Sequence, residues 1–485
     1  MPVIVARHGG MLRGPLPRRP GRPLVIVVLD RSASTPLAVQ VADGLRTAAL
    51  DGRLRTGDRV PATRVLAREL GVSRTVTAAA YDQLVAEGWL GARHGSGTFV
   101  LASPSPGGGH ATPARADVPP APAPVPAGTD LRPGAPCLEV LDPASWRRAW
   151  RRAGDLPPPG RPEYAGVPGF RAAVAEHLLR PRGLVRADVI ATAGATAGLA
   201  ELVALLTRRL GRPLRAGLED PGYRRAAGVF RAAGAEVTPL AVDADGLVVE
   251  TLPPGLDLVY TTPAHQYPLG GRLPVARRAA LVDRARAAGA WVVEDDYDGE
   301  LRYDVAPLPV LAALGPDVVV HLGTAGKIAT PGLGVGWLVA PPDLGADLLA
   351  QRRATGTRPA PAGQQVFAAW AHDGGLGRHL ARLRRELAVR RTLVVGAVRA
   401  AGHTVLGDRA GAHLVVPLAS AAAERTVVAA AGERGVLVDG LAAHHLDAPA
   451  VHGVLVGWAA PTRAELATAL DRLRGVLAEV GVGPA

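Results

Sequence analysis

The chain has 485 residues, enough for about three domains. It is 48% hydrophobic and 20% charged with a net charge of +12, so most of it should fold, and a polyanionic partner becomes more plausible. One cysteine, Cys137, excludes a disulfide framework, no apolar run reaches the roughly 18 residues of a membrane span, and residues 1–23 lack a signal-type apolar core, so a cytoplasmic protein is expected.

Residues 1–30 read as a flexible tail, interrupted only by the short strand-like run Leu24 to Leu29. A first helix is expected from Thr35 and Pro36, with Leu37, Val41, Leu45 and Ala48 on one face, until Gly52. A second should cover Ala62 to Leu70 and stop at Gly71. A third should start at the cap Ser73 and run to Glu87, and Trp89–Val100 should form two short strands. Three helices, a tight turn and a hairpin over residues 31–100 are the parts of a winged helix-turn-helix, with a small protein-binding helical domain as the alternative. In the first case Arg64, Ser73, Arg74, Thr75 and Thr77 stand where phosphate and base contacts form.

Residues 101–130 change to Pro, Gly and Ala, a composition that cannot bury a core and reads as a semi-extended linker. From Leu131 to Ala485, strand-like runs (Val189–Ala191, Leu256–Tyr260, Trp291–Glu294, Val318–Leu322) alternate with amphipathic helices. That alternation predicts an α/β domain on a mainly parallel sheet.

Of the 55 basic residues, Lys327 is the only lysine, and no asparagine occurs. Drift from lysine to arginine accounts for part of the charge, so a surviving lysine points to chemistry arginine cannot copy. Imine formation is such chemistry, because a desolvated amine can lose its proton. Upstream, the strand Val292-Val293 ends in Glu294-Asp295-Asp296-Tyr297-Asp298. A lysine and a strand-end carboxylate are the pair that a pyridoxal 5′-phosphate (PLP) site needs, one for the Schiff base and one for the pyridine nitrogen. A metal site or a solvated acidic turn are the competing readings. No convincing metal-ligand spacing is present, and His444-His445 reads as a surface or packing pair. A nucleotide-binding P-loop is excluded because no glycine sits five residues before Gly326 and Ile328 stands where a hydroxyl is required.

Two resemblances sharpen these readings. Gly57-Asp58-Arg59-Val60-Pro61, Leu70-Gly71-Val72-Ser73-Arg74, Tyr81-Asp82-Gln83-Leu84 and Gly95-Ser96-Gly97-Thr98-Phe99-Val100 closely resemble the GntR-type DNA-binding domain. The resemblance implies double-stranded DNA as partner and Arg64, Arg74, Thr75, Thr77, His94 and Gly95 as contacts. The second half resembles fold-type I aminotransferases, specifically the MocR/GabR-type subfamily, in which a GntR domain is fused to an aminotransferase-like domain. Its carriers are Tyr164–Arg171, Thr192-Ala193-Gly194-Ala195-Thr196, Glu219–Tyr223, Thr262–Pro268 with His265, and Glu294–Tyr303.

The resemblance implies Lys327 as the Schiff-base lysine and Asp295, before Asp296, as partner of the pyridine nitrogen. It implies Tyr297 on the phenolic oxygen, Tyr223 stacked on the ring, Ala195 and Thr196 on the phosphate, and His265 in the cofactor site. Tyr164 would reach the phosphate of the neighbouring subunit in a homodimer. Two departures bear on affinity: the family's serine before the lysine is Gly326, and its phosphate-binding arginine seven residues later is Gly334. The carboxylate arginine of true aminotransferases has no counterpart in Val454–Ala459, and a second subfamily arginine is replaced at Ala443. The expectation is a regulator that binds PLP, weakly, and senses an amino compound or PLP itself. The alternatives are a working aminotransferase with an added DNA-binding domain, or a degenerate domain kept for dimerisation.

Overall fold

A computed structural model of the chain describes residues 3–7, 25–93, 97–101, 128–185 and 188–480. The chain forms two compact units that divide between residues 123 and 124.

The first unit carries β1 (Val3–Arg7), β2 (Val25–Leu29), α1 (Leu37–Leu50), α2 (Thr63–Leu70), α3 (Arg74–Ala86), β3 (Leu90–Arg93) and β4 (Gly97–Val100). Val41, Leu45, Leu66, Leu70, Ala80 and Leu84 close one core between the helices, as their 3–4 spacing predicts. Gly71 ends α2 in the left-handed region at φ 62°, where glycine costs least. Ser73 caps α3 by accepting from Val76 N at 3.4 Å. Thr35 does not cap α1, which starts at Pro36 without a side-chain cap.

The expectation of a flexible tail over residues 1–30 is corrected at two segments. β1 and β2 pair in parallel, and Val27 and Leu29 sink into the helical core. The branched apolar run of β2 gains more by covering α1 than by staying in water. The linker expected over 101–130 lies outside the described residues between 102 and 127. Its last residues differ from the expectation: β5 (Thr129–Asp130) pairs with a strand of the second unit.

The second unit continues with α4 (Pro143–Gly154), α5 (Pro168–Leu179), β6 (Ile190–Thr192), α6 (Ala195–Leu210), β7 (Arg215–Asp220), α7 (Arg224–Ala232), β8 (Glu236–Asp243), β9 (Gly246–Leu247), β10 (Leu258–Thr261), α8 (Val275–Ala288) and β11 (Trp291–Asp296). β12 (Val319–Thr324), α9 (Ala325–Ile328), β13 (Gly336–Val339), α10 (Pro342–Thr355), α11 (Pro361–His372) and α12 (Gly375–Ala400) follow. The chain closes with β14 (His413–Pro417), α13 (Ala421–Glu433), β15 (Val436–Leu437), β16 (Asp439–Gly440), β17 (Gly453–Gly457) and α14 (Arg463–Glu479).

Eight strands form the main sheet in the order β6-β13-β12-β11-β10-β7-β8-β9. All but β13 and β9 run the same way. Alternate residues of each strand enter opposite cores: Val259 and Val292 on one face, Leu258, Tyr260 and Val293 on the other. Helices therefore cover both faces, which explains the near-continuous apolar strands. β14, β17 and β16 make a smaller antiparallel sheet near the C-terminus, and β15 pairs with β5. In such a fold the carboxyl ends of the parallel strands of the main sheet collect the functional loops.

Candidate cofactor site and DNA-binding surface

A cavity of about 710 Å³ opens at the carboxyl ends of β6, β10, β11 and β12. Lys327, Asp295, Tyr297, Tyr223, Ala195 and Thr196 all line it. Residues separated by more than 130 positions thus converge because parallel strands deliver their C-terminal residues to one edge.

Lys327 sits in the single turn α9 directly after β12. Its Nζ donates to the Gly134 carbonyl. Burial pulls its amine below the ordinary lysine value, against the opposing pull of Asp298 and Asp295. That direction favours the neutral, nucleophilic form.

Asp295 and Asp296 end β11 and point to opposite faces. Asp296 is paired with the buried Arg182 at 2.7 Å. Asp295 accepts from the Tyr260 hydroxyl through Oδ2, while its buried Oδ1 has no protein partner. An orphaned oxygen on a carboxylate that lines a cavity is what a protonated ring nitrogen would satisfy. Burial pushes Asp295 up to about 6, and the Tyr260 donation and the Lys327 charge oppose that rise. The pair Asp295 and Asp296 is thereby separated: one carboxylate is consumed in the structure and the other is offered to the cavity.

Tyr297 lies 3.0 Å from His265 Nδ1 through its hydroxyl, and the same nitrogen lies 2.9 Å from Asp298 Oδ2. A hydrogen on Nδ1 shared between Asp298 and the Tyr297 oxygen leaves the phenolic proton free for the cavity. His265 itself is buried behind Tyr297, outside the cavity lining. Tyr223 stands edge-on to Tyr267, with ring centroids 5.8 Å apart. Ala195 and Thr196 are the first residues of α6, whose free N–H groups make an anion site. Gly326 N is occupied by Thr324 Oγ1 at 3.0 Å. Gly334 has φ 60°, and a Cβ there would meet nothing within 4 Å.

Tyr164 does not line the cavity; its carbonyl accepts from Arg352 at 2.7 Å. Several cavity residues were not expected at the site from the sequence. Arg132, Arg224, Arg225, His413, Asp439 and His444 all line it. Arg132 is held by Asp130 at 2.7 Å, whereas among the described residues Arg224 and Arg225 carry no ion pair. His444, expected as a surface or packing residue, is buried and its ring nitrogens have no partner. Burial holds it down at about 4, so the ring is neutral at pH 7. His265, Asp298 and His413 also bring ligand-type atoms within 4.8 Å of one another. Their wide separation along the chain hides such a group from any motif search.

In the first unit, Arg64, Ser73, Arg74 and Thr75 are exposed on α2, the turn and the start of α3. Thr77 is corrected. It is fully buried, and its hydroxyl donates to Thr63 O at 3.0 Å and Arg74 O at 3.1 Å. It pins α3 to α2 and has no face for DNA. The remaining expected contacts, His94 and Gly95, lie outside the described residues.

Comparison with known proteins agrees with both halves. Residues 37–100 match the family of bacterial regulatory proteins of the gntR family, and residues 142–473 match aminotransferase class I and II. The chain belongs to the MocR/GabR-type transcriptional regulators. Over 460 residues it is 35% identical to the HTH-type pyridoxine biosynthesis transcriptional regulator PdxR of Corynebacterium glutamicum, covering 94% of this chain and 97% of that one. It is 32% identical to the probable rhizopine catabolism regulatory protein MocR of Rhizobium meliloti, covering 90% and 92%. Among solved structures, the kynurenine aminotransferase of Pyrococcus horikoshii aligns with a TM-score of 0.66 at 22% identity, over 73% of this chain and 91% of that one. That likeness shows the fold, whose family is PLP-dependent. This MocR/GabR-type regulator therefore joins a GntR domain, of a class that binds DNA, to a fold-type I aminotransferase-like domain. Among the described residues no helix is long and apolar enough to cross a membrane.

Proposed function

We propose that the chain is a DNA-binding regulator, acting on cytoplasmic DNA as a homodimer, whose aminotransferase-like domain binds PLP at Lys327 and senses an amino compound or PLP itself. The observation that carries this reading is the cavity that holds both the chain's one lysine and a carboxylate with one unpartnered oxygen. Bound PLP would supply a carbonyl for condensation with an amine and an electron-poor ring. The chain's residues do the rest. Asp295 holds the ring nitrogen protonated, Tyr297 donates to the phenolic oxygen under the control of His265 and Asp298, and Tyr223 covers one ring face. The start of α6 at Ala195 and Thr196 holds the phosphate, with Tyr164 contributed by the second copy of the chain. Arg64, Ser73, Arg74 and Thr75, together with His94 and Gly95, contact DNA.

The similarity to a regulator named for pyridoxine biosynthesis supports PLP itself as an effector. Arg224 and Arg225 on the cavity wall favour a second reading, a working aminotransferase that binds a substrate carboxylate there. One experiment separates the two. The purified chain is titrated with PLP while absorbance and operator binding are followed, and amino acids are then added. A visible band with altered operator affinity and no turnover supports the regulator. Rapid transamination supports the enzyme, and no band at any PLP concentration defeats both.

A further inference from the structure

Asp295 is held from behind by a residue that no motif marks. In the pairing of β10 with β11, Tyr260 stands opposite Val293. Asp295, two residues further along β11, is therefore the diagonal neighbour on the same face. That register brings the Tyr260 hydroxyl onto Asp295 Oδ2. Tyr260 is 2% exposed, and Phe230 packs edge-on against its ring at 6.2 Å, so the phenol has one orientation. The other carboxylate oxygen, Oδ1, is buried and unpartnered, and Asp295 lines the cavity.

We propose that Tyr260 is a positioning residue for the cofactor: its phenol holds Asp295 ionised and turned so that Oδ1 meets the ring nitrogen. This rests on the PLP reading above. The physical argument is one of satisfied valences. A buried carboxylate with no donor would take up a proton or rotate, and either change loses the partner of the ring nitrogen. One strong donor on Oδ2 removes both options while leaving Oδ1 free. The other groups acting on Asp295 are Asp296 beside it on β11, His321 on β12 and Lys327 on α9. Tyr223 and Glu219 act on the phenol itself. None of these is hydrogen-bonded to Asp295, so Tyr260 alone sets its orientation among the described residues.

The test uses the full chain reconstituted with PLP and the variant Tyr260→Phe, which removes one oxygen and keeps the ring. Without the donor, Asp295 holds its own proton more tightly and the ring nitrogen loses its share. The pH midpoint of the visible cofactor band should then rise by about half a unit to one unit. PLP affinity should fall roughly ten-fold. In an Asp295→Ala background the same change should do nothing further, because Tyr260 acts only through that carboxylate. A Tyr260→Phe chain with the parent's pH midpoint and PLP affinity overturns the proposal, even if its melting temperature drops. Should Tyr260→Phe fail to fold, the double variant Tyr260→Phe/Asp295→Asn must fold, since the unpaired buried charge is then gone; failure of both overturns the proposal. A parent chain without any visible band fails the PLP reading instead, and the two failures are distinct.

Discussion

The two units use opposite designs for their working surfaces. In the first, four of the proposed DNA contacts, Arg64, Ser73, Arg74 and Thr75, lie within 12 consecutive positions and stand exposed on α2, the turn and the start of α3. In the second, the cavity is assembled from positions as far apart as Asp130 and Ala459, and its key carboxylate is 6% exposed. A surface that binds a polyanion needs charge in water and little else, so its side chains can change singly. A site that binds a reactive cofactor needs desolvated groups, and each such group must be held by another. Substitutions should therefore act locally in the first unit and in pairs in the second.

The largest effect that would break this comparison lies at Lys327. Lys327→Ala should abolish the visible PLP band completely, because no other side-chain amine exists in the chain. Absorbance between about 300 and about 500 nm after PLP addition checks it, the range being that of pyridoxal adducts. Operator affinity measured without PLP should not change. A persisting band would place the adduct at the N-terminal amine and remove the reason for the lone lysine.

Asp295→Asn should separate stability from binding. In the PLP-free chain Asp295 is pushed from 3.8 up to about 6. A raised carboxylate favours the folded state below its unfolded value, and that contribution is lost as pH rises through about 6. The gap corresponds to about 3 kcal/mol. Asparagine keeps the Tyr260 partner without the charge. The variant should thus be more stable than the parent above pH 6, by up to about 3 kcal/mol, and no more stable near pH 4. PLP binding should weaken in the same variant. Urea unfolding at several pH values measures this, and six of the seven tryptophans report on the second unit. Equal stability at pH 7 and pH 4 would mean that Asp295 is not desolvated.

These two cases show what the sequence could and could not disclose. The helices of the first unit and the strands β6, β10, β11 and β12 were legible because their apolar spacing is local. Lys327 and the acidic strand end were legible because a unique lysine with a strand-end acid is a chemically specific pair, whereas the choice of Asp295 and the part given to Tyr297 came from the family resemblance. Tyr260, Asp298 and His444 were not legible. Tyr260 has ordinary composition around it, and although Asp298 and His444 stand in marked segments, all three acquire their roles only from a cross-strand diagonal or a loop packed against a distant strand. Thr77 escapes a sequence reading for the same reason: its place in the recognition helix suggests exposure, but the helix phase turns it inward. Residues 1–30 escape it because burial of Val27 depends on α1, which the run itself does not announce.

Arg74 and Thr77 make the local half of the comparison testable. Arg74→Ala should weaken operator binding and lower the salt slope of log affinity by about one, the effect of removing a single arginine–phosphate ion pair. Thr77→Val should leave that slope unchanged. It should instead cost the first unit about 1 kcal/mol, since two carbonyls lose their donor. Fluorescence anisotropy across salt concentrations, with thermal unfolding alongside, reads both. A reduced slope in Thr77→Val would return that residue to the DNA surface.

The smallest expected effect is a gain. The family's phosphate-binding cation is missing at Gly334, on the wall of the same cavity. Glycine there has φ 60°, so any side chain pays for a left-handed backbone, about 1–2 kcal/mol. Space is not the obstacle, because a Cβ would meet no atom within 4 Å. A charge-assisted hydrogen bond to phosphate returns about 1.5–3 kcal/mol. The left-handed strain is the same with and without PLP and lowers stability instead, so only ordering the long side chain, about 0.5–1.5 kcal/mol, offsets that bond, and Gly334→Arg should bind PLP more tightly by about 1 kcal/mol, roughly five-fold. Equilibrium dialysis of the variant against PLP measures the gain, and high salt should reduce it. Inorganic phosphate should compete more strongly with the cofactor in the variant than in the parent, because the new cation meets the phosphate alone. A loss of affinity would mean that the left-handed turn at 334 itself shapes the phosphate site. The glycine would then be a requirement of this chain's own loop, and the second unit would again respond only to changes made in pairs.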